Sequence, residues 1–439
     1  MYQRNTSKRS GAAMLCVLLA LLVTACANGT TQAGIKGTPT PTSATISWAR
    51  GVYPGIDPYV DRYISTMSLD ARIGQLIFAQ IYNGSYDNEY RAFIRTIQPG
   101  GMIFYRPQIA TIASAQQLTT GMQHDSAITI LTGADNEGGS FDNLDQIFPG
   151  KHPQAGMIGD TNDTQYAYNQ GAQMAADSKA AGLTIDLAPV VDVPATGAPP
   201  CSAGGYCRLF GNTPDKVTKM AGAWLQGLQD HGVVGTLKHF PGLGATPSDP
   251  HKGLPVVSQS HDEIEKLDLS PYRALIDSSN VPDVVMSTDI LMPAIDPTVP
   301  SELSQPTITG VLRDELHYDG VVITDALYMQ GIGDFLHADA RADATLVRAG
   351  VMSIQAGCDM ILGTYTFGNT QSMVNGIKAA IQSGTLTEVR INQSVHRILM
   401  MKIKRGIWSL PYTPDPLPGG NSGPLPRALP TDAGRTAQR

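Results

Sequence analysis

Eight short apolar runs recur along this chain, and they constrain its fold more than any other feature. They are Leu76–Ile81, Met102–Tyr105, Ile128–Thr132, Leu183–Val191, Val233–Leu237, Val284–Ser287, Val321–Thr324 and Met360–Leu362. An apolar run stopped by Pro, Gly or an acidic residue reads as a buried strand emptying into a loop. Between the runs lie amphipathic stretches with helical spacing, such as Lys216–His231 and Thr345–Ala356. Short buried strands alternating with helices make a parallel α/β sheet, and eight such units predict a (β/α)8 TIM-like barrel in one domain. The rival is an open doubly wound sheet. It wants a Gly-rich phosphate loop after an early strand, and the sequence has none there.

Composition bounds the rest. The chain has 439 residues, 42% hydrophobic and 16% charged, enough for a large core. A net charge of -7 argues against a nucleic-acid partner. Its five cysteines show no C-x-x-C or zinc-type spacing, and no cofactor or metal is expected. Arg4, Lys8 and Arg9 precede an apolar stretch, Gly11–Ala25, that is too short for a comfortable membrane span. It ends Val23-Thr24-Ala25-Cys26, which resembles the lipobox of bacterial lipoproteins. That resemblance makes Cys26 the lipidated first residue of an exported protein held on the outer face of the cell membrane. An ordinary signal peptide cleaved nearby is the alternative, and export follows from both. The expected organisation is a signal segment over 1–26, a flexible Thr/Gly/Ser/Pro linker over 27–52, the barrel over 53–407 and a disordered Pro- and Gly-rich tail over 408–439.

In a barrel of this kind, polar groups at the C-terminal ends of strands carry the chemistry. Val321-Val322-Ile323-Thr324-Asp325 is an apolar strand ending in a carboxylate, which suits a nucleophile; a helix N-cap is the plainer reading. The fifth run leads into Lys238-His239-Phe240-Pro241-Gly242-Leu243-Gly244 and then to Asp249 and His251. An Asp next but one to a His orients the ring and stabilises its charged form, as a base and its orienting partner do. A surface loop with a chance Asp and His is the alternative for those two residues alone. The acids of Asp135-Asn136-Glu137-Gly138-Gly139 do not make a calcium loop, because Ser140 and Gln146 stand where such a loop needs Gly and Glu. A metal site on His239 and His251 lacks a third ligand at suitable spacing. Cys201 and Cys207 bracket a Gly-containing loop; outside the cytoplasm they can close it as a disulfide, with free thiols the alternative. Cys358 lies in an apolar run and reads as core.

The stretch Lys238–His251 resembles the signature K-H-[FI]-P-G-x-G-x-x-x-x-D-[ST]-H of glycoside hydrolase family 3, in its single-domain β-N-acetylglucosaminidase branch. The segment Arg313–Met329 is similar to that family's nucleophile segment, Ala134–Gly139 to its D-x-E-G-G, Leu187–Val193 to its A-P-V-x-D-V, and Arg208–Gly211 to its R-x-F-G. The resemblance as a whole extends over roughly Asp57 to Gly406.

The resemblance implies the following roles. Asp325 is the nucleophile, with His251 as acid/base oriented by Asp249. Asp135, Arg208, Lys238 and His239 bind the terminal sugar. Asp192 is structural and pairs with a basic neighbour. Relatives with a second, sandwich domain take a catalytic Glu from it; here the acid/base comes from the barrel. The implied activity is retaining, exo-acting hydrolysis of terminal N-acetylglucosamine from cell-wall or chitin-derived oligosaccharides by a monomer. A phosphorylase, another β-glycosidase, or a catalytically impaired sugar-binding lipoprotein are the alternatives. Five residues depart from the family pattern. Pro250 replaces Ser or Thr, Ala326 an acid and Asp289 a His, while Ser140 and Phe141 stand where an Arg usually follows.

Overall fold

Each apolar run supplies one strand of a parallel sheet. The structure is a computed structural model and describes residues 56–80, 84–195, 208–246 and 250–411. The strands are β1 (Ile77–Gln80), β2 (Gly101–Ile103), β3 (Leu131–Ala134), β4 (Ile185–Asp186), β5 (Val234–Phe240), β6 (Val284–Ser287), β7 (Val321–Ile323) and β8 (Ile361–Leu362). Their order is β7-β6-β5-β4-β3-β2-β1-β8, all pairs parallel, and a bridge between Ile323 and Met360 brings β8 back to β7. This is the expected (β/α)8 barrel.

The strand limits differ from the apolar runs for local reasons. Ile128–Ile130 stay out of the sheet because the Gln123 side chain satisfies both backbone groups of Ile130, at 2.9 Å each. In the fourth run the ladder thins at Pro189, which has no N–H to give, and resumes as a bridge from Val190 to Lys238. The fifth strand runs longer than its apolar run and carries Lys238 and His239 on the strand itself.

Side chains from alternate positions fill the barrel. Phe78, Ile103, Leu131, Ile185, Leu187, Val234, Val284, Met286, Val321 and Ile323 form one buried cluster, which also includes Ile398 and Met401. Those two belong to the helix Glu388–Lys404, which lies across the N-terminal mouth of the barrel. Its polar residues grip the strand entrances. Lys404 Nζ reaches Asp283 at 2.9 Å and Arg405 pairs with the same carboxylate ahead of β6. Arg397 pairs with Asp319 ahead of β7 at 3.3 Å. Asp359, ahead of β8 and fully buried, takes Arg313 at 2.6 Å, Ser394 at 2.7 Å, and Arg390 and Arg397 at 3.3–3.4 Å. Lys402 is also buried, bonded to Gln75 at 3.0 Å, and burial pushes its ammonium down to about 7.

Local signals set the helices. Ser68 caps Leu69–Gln75, accepting the Ala71 amide at 3.1 Å. Thr213 caps Pro214–Asp230, which has Pro at its first position, and Thr366 closes a capping box on Phe367–Gln382. Past the last helix, Trp408 still packs, its ring 5.1 Å from that of Tyr63.

Candidate active site

The C-terminal ends of the strands converge on one cavity of about 500 Å3. Its lining includes Gln80, Arg106, Asp135, Glu137, Arg208, Lys238, His239, His251, Asp325 and Tyr328. Thus Asp325, two residues beyond β7, and His251, in the turn Pro250–Lys252 after β5, line the same cavity. A more open cavity of about 750 Å3, lined by Ala245, Val256, Gln259 and Lys266 among others, contains none of these strand-end groups.

Hydrogen bonds hold both oxygens of the Asp325 carboxyl. Thr288 Oγ1 donates to Oδ2 at 3.1 Å and the Ala326 amide to Oδ1 at 2.8 Å. The Asp325 amide donates backward, to Ser287 O at 2.8 Å and Glu302 Oε2 at 3.0 Å.

Opposite stands a compact charge network. Lys238 Nζ lies 2.6 Å from Asp135 Oδ1 and 2.7 Å from Glu137 Oε1. Arg208 reaches Glu137 with two parallel bonds, Nε to Oε2 at 2.7 Å and Nη2 to Oε1 at 2.8 Å. Burial alone would push the Glu137 carboxyl up; Lys238 and Arg208 outweigh it and hold the group well below the usual range. Burial works equally against the Lys238 ammonium, and Asp135 with Glu137 reverse that too. The Arg208 guanidinium also covers the Phe141 ring, 4.6 Å from its centroid, and Phe141 is 39% exposed at the cavity.

His239 and Asp192 form a second unit. His239 Nδ1 lies 2.7 Å from Asp192 Oδ2, while Asp192 Oδ1 accepts the amides of His239 at 3.1 Å and Leu243 at 2.9 Å. Asp192 therefore orients the imidazole and ties down the Pro241–Gly244 turn. Burial raises its carboxyl, but His239 and the two amides bring it below the ordinary value. Further round, His152 is sandwiched between Asp142 at 2.5 Å and Asp177 at 3.1 Å. Burial opposes its charge, the two carboxylates prevail, and its pKa is raised.

Of the residues singled out from sequence, Asp325, His251, Asp135, Arg208, Lys238 and His239 meet at this cavity. Asp249, Cys201, Cys207 and Cys26 lie outside the described residues. Sequence reasoning gave Glu137 no role, although its spacing of two from Asp135 signals a shared side. It also passed over Gln80, which receives the Tyr328 hydroxyl at 2.9 Å and the Tyr105 hydroxyl at 3.5 Å, and Arg106, which donates to Asp142 O at 3.2 Å. Glu302 carries no motif at all.

The family model for the glycosyl hydrolase family 3 N terminal domain matches residues 68–401. The chain belongs to glycoside hydrolase family 3. Among its relatives is the beta-hexosaminidase LpqI of Mycobacterium tuberculosis, 30% identical over 396 residues that cover 87% of this chain and 95% of that protein. The structure of a family 3 beta-N-acetylglucosaminidase from Paenibacillus sp. superposes with a TM-score of 0.71 at 30% identity, covering 80% of this chain and 65% of that one. The beta-glucoside phosphorylase BglX gives 0.68 at 26% identity, covering 81% and 61%. The chain thus spans under two thirds of each of these two solved proteins.

Among the described residues, one cluster brings three metal-type ligand atoms within 4.8 Å of one another: His261, Glu265 and Glu315. It is away from the cavity lining, and Arg273 already neutralises both glutamates, at 2.8 and 2.7 Å. No described helix is long and apolar enough to cross a membrane.

Lys238 is the cation on which the network turns. Lys238→Met is expected to destabilise the fold by about 3 kcal/mol, the low end for breaking a buried pair, since Arg208 still covers Glu137. Urea unfolding checks this, and an unchanged midpoint would show that the network contributes nothing.

Proposed function

We propose that this family 3 enzyme is a retaining, exo-acting β-N-acetylglucosaminidase. The observation that carries the reading is the shared cavity of Asp325 and His251, with Asp135, Arg208, Lys238 and His239 beside them. The printed activities of the beta-hexosaminidase and beta-N-acetylglucosaminidase relatives support it. In the first half-reaction, an Asp325 oxygen bonds to the anomeric carbon as the glycosidic bond breaks. The imidazolium of His251 gives its proton to the departing oxygen. In the second, neutral His251 takes a proton from water, the hydroxyl oxygen bonds to the anomeric carbon, and the Asp325 ester breaks. An imidazole titrates near the working pH, which suits both halves. Asp249 is the orienting partner of that ring in this reading. The donors of Arg208, Lys238 and His239 sort sugars by the hydroxyls they expect, because a substrate lacking one leaves a buried group unpaired. An exported protein anchored at Cys26 meets cell-wall or chitin-type chains outside the cell membrane.

The test is turnover of 4-nitrophenyl β-N-acetylglucosaminide with the product anomer followed by NMR. The β-anomer is expected first. First appearance of the α-anomer would overturn retention, and tight binding without turnover would mark a sugar-binding protein. Added phosphate should leave the product unchanged; accumulation of sugar 1-phosphate would make the enzyme a phosphorylase.

A further inference from the structure

Behind Asp325 lies a buried acid that the reaction above does not use. Glu302 sits in the turn Ser301–Leu303 with no exposed surface. Two backbone bonds fold that turn onto the segment after β6: Ser301 N to Ile290 O at 2.8 Å and Glu302 N to Thr288 O at 3.2 Å. They bracket Asp289, also fully buried, and make it the neighbour of Glu302. On its other side, Glu302 Oε2 accepts the amide of Asp325 at 3.0 Å. Oε1 is buried, and no described group hydrogen-bonds to it.

Asp289 and Glu302 are thus buried together behind Asp325, which itself lines the cavity, and no positive group among the described residues acts on Glu302. Burial, then Asp289, then Asp325, push the Glu302 carboxyl well above the usual carboxylate range. Another titratable neighbour, Cys358, offers no charge to balance. Its Sγ lies 3.6 Å from Glu302 O, and its thiol is pushed up chiefly by burial and then by Glu302 itself. A carboxyl group buried beside other acids, with no cation acting on it, favours its neutral form.

We propose that Glu302 is a positioning residue for Asp325: its buried carboxyl, as the neutral acid, holds the amide from which the nucleophile's side chain projects. The proposal rests on Asp325 being the nucleophile. Glu302 Oε2 fixes the backbone from which the Asp325 carboxylate projects. The retained proton lets a second acid stand there without adding a second charge behind the nucleophile. When alkali removes that proton, the new charge repels the Asp325 carboxylate and unsettles the amide bond that both share.

The test compares wild type, Glu302→Gln and Glu302→Ala on N-acetylglucosaminyl fluoride. This leaving group needs no proton from His251, so an alkaline fall in kcat/KM reports the buried acid. The Ala variant should lose about a hundredfold in kcat with KM little changed, the cost of a misplaced reacting group. Gln, which keeps the shape and the neutral charge, should restore kcat to within about threefold and remove the alkaline fall. Infrared spectra of the unliganded proteins provide a second readout: a protonated-carboxyl carbonyl band present in wild type and absent from Glu302→Gln. If the Ala variant does not fold, the Gln variant and the infrared band still decide. A Gln variant as slow as Ala, an unaltered alkaline fall, or an unaltered infrared band would each overturn the proposal. Wild type inert toward every N-acetylglucosaminide would instead sink the proposed function, and the infrared band would still report on Glu302.

Discussion

Asp325→Asn should cost at least about 10⁴-fold in kcat, the scale seen when the attacking group of a covalent mechanism is removed. The expected loss is in the bond-making step, so KM should move little. Asn keeps the size of the side chain and an oxygen to accept from Thr288 or Ala326, so unfolding should shift by less than about 1 kcal/mol. Wild type quenched with acid during turnover should carry one covalent sugar on the peptide containing Asp325, and the Asn variant none. Turnover by the Asn variant within tenfold of wild type would remove Asp325 from the nucleophile's place.

His251→Ala should cost about 10²–10⁴-fold, the range for general acid–base catalysis, with a dependence that identifies its role. A substrate with a poor, alkoxide-like leaving group needs the donated proton most and should lose most. A dinitrophenyl or fluoride leaving group departs unaided, so the first step should survive and the glycosyl-enzyme accumulate. A small anion such as azide, needing no base, should then rescue turnover and yield the β-glycosyl azide. Equal losses across all leaving groups would mean that His251 binds substrate rather than moving protons. The exposed placement of His251, on a turn rather than a strand, distinguishes it from the buried Asp325 support.

The barrel was legible because strands buried on both faces read as continuous apolar runs, and β6 matches its run residue for residue. Edges were less legible because apolarity marks burial, whereas a strand is defined by its hydrogen bonds. Ile128 and Ile130 are buried yet unpaired in the sheet. Lys238 and His239 are polar yet lie in β5, since Asp135, Glu137 and Asp192 meet their polar atoms. Asp192 was read from sequence as structural with a basic partner, and its bond to His239 is that pairing. Asp289 was legible as a departure from the family's His, but its neighbour was not. Glu302 lies in Pro300-Ser301-Glu302-Leu303-Ser304, where no periodicity points inward. Only the fold-back onto Thr288 and Ile290 brings it behind the strand ends. The sandwiching of His152 is equally a product of long-range folding, with partners 10 and 25 residues away.

The helix that floors the barrel also imposes a schedule. During synthesis every strand leaves the ribosome before Glu388–Lys404 does, so Phe78, Leu131, Val234 and Val321 wait for Ile398 and Met401. His396 meanwhile has to find Asp57 and Asp61, more than three hundred positions upstream, at 3.2 and 2.7 Å. Contacts so distant along the chain form slowly and leave an aggregation-prone intermediate open in the interval. A nascent chain stalled before Glu388 should therefore remain a chaperone client, and release of the final helix is the event that commits the molecule to its native state.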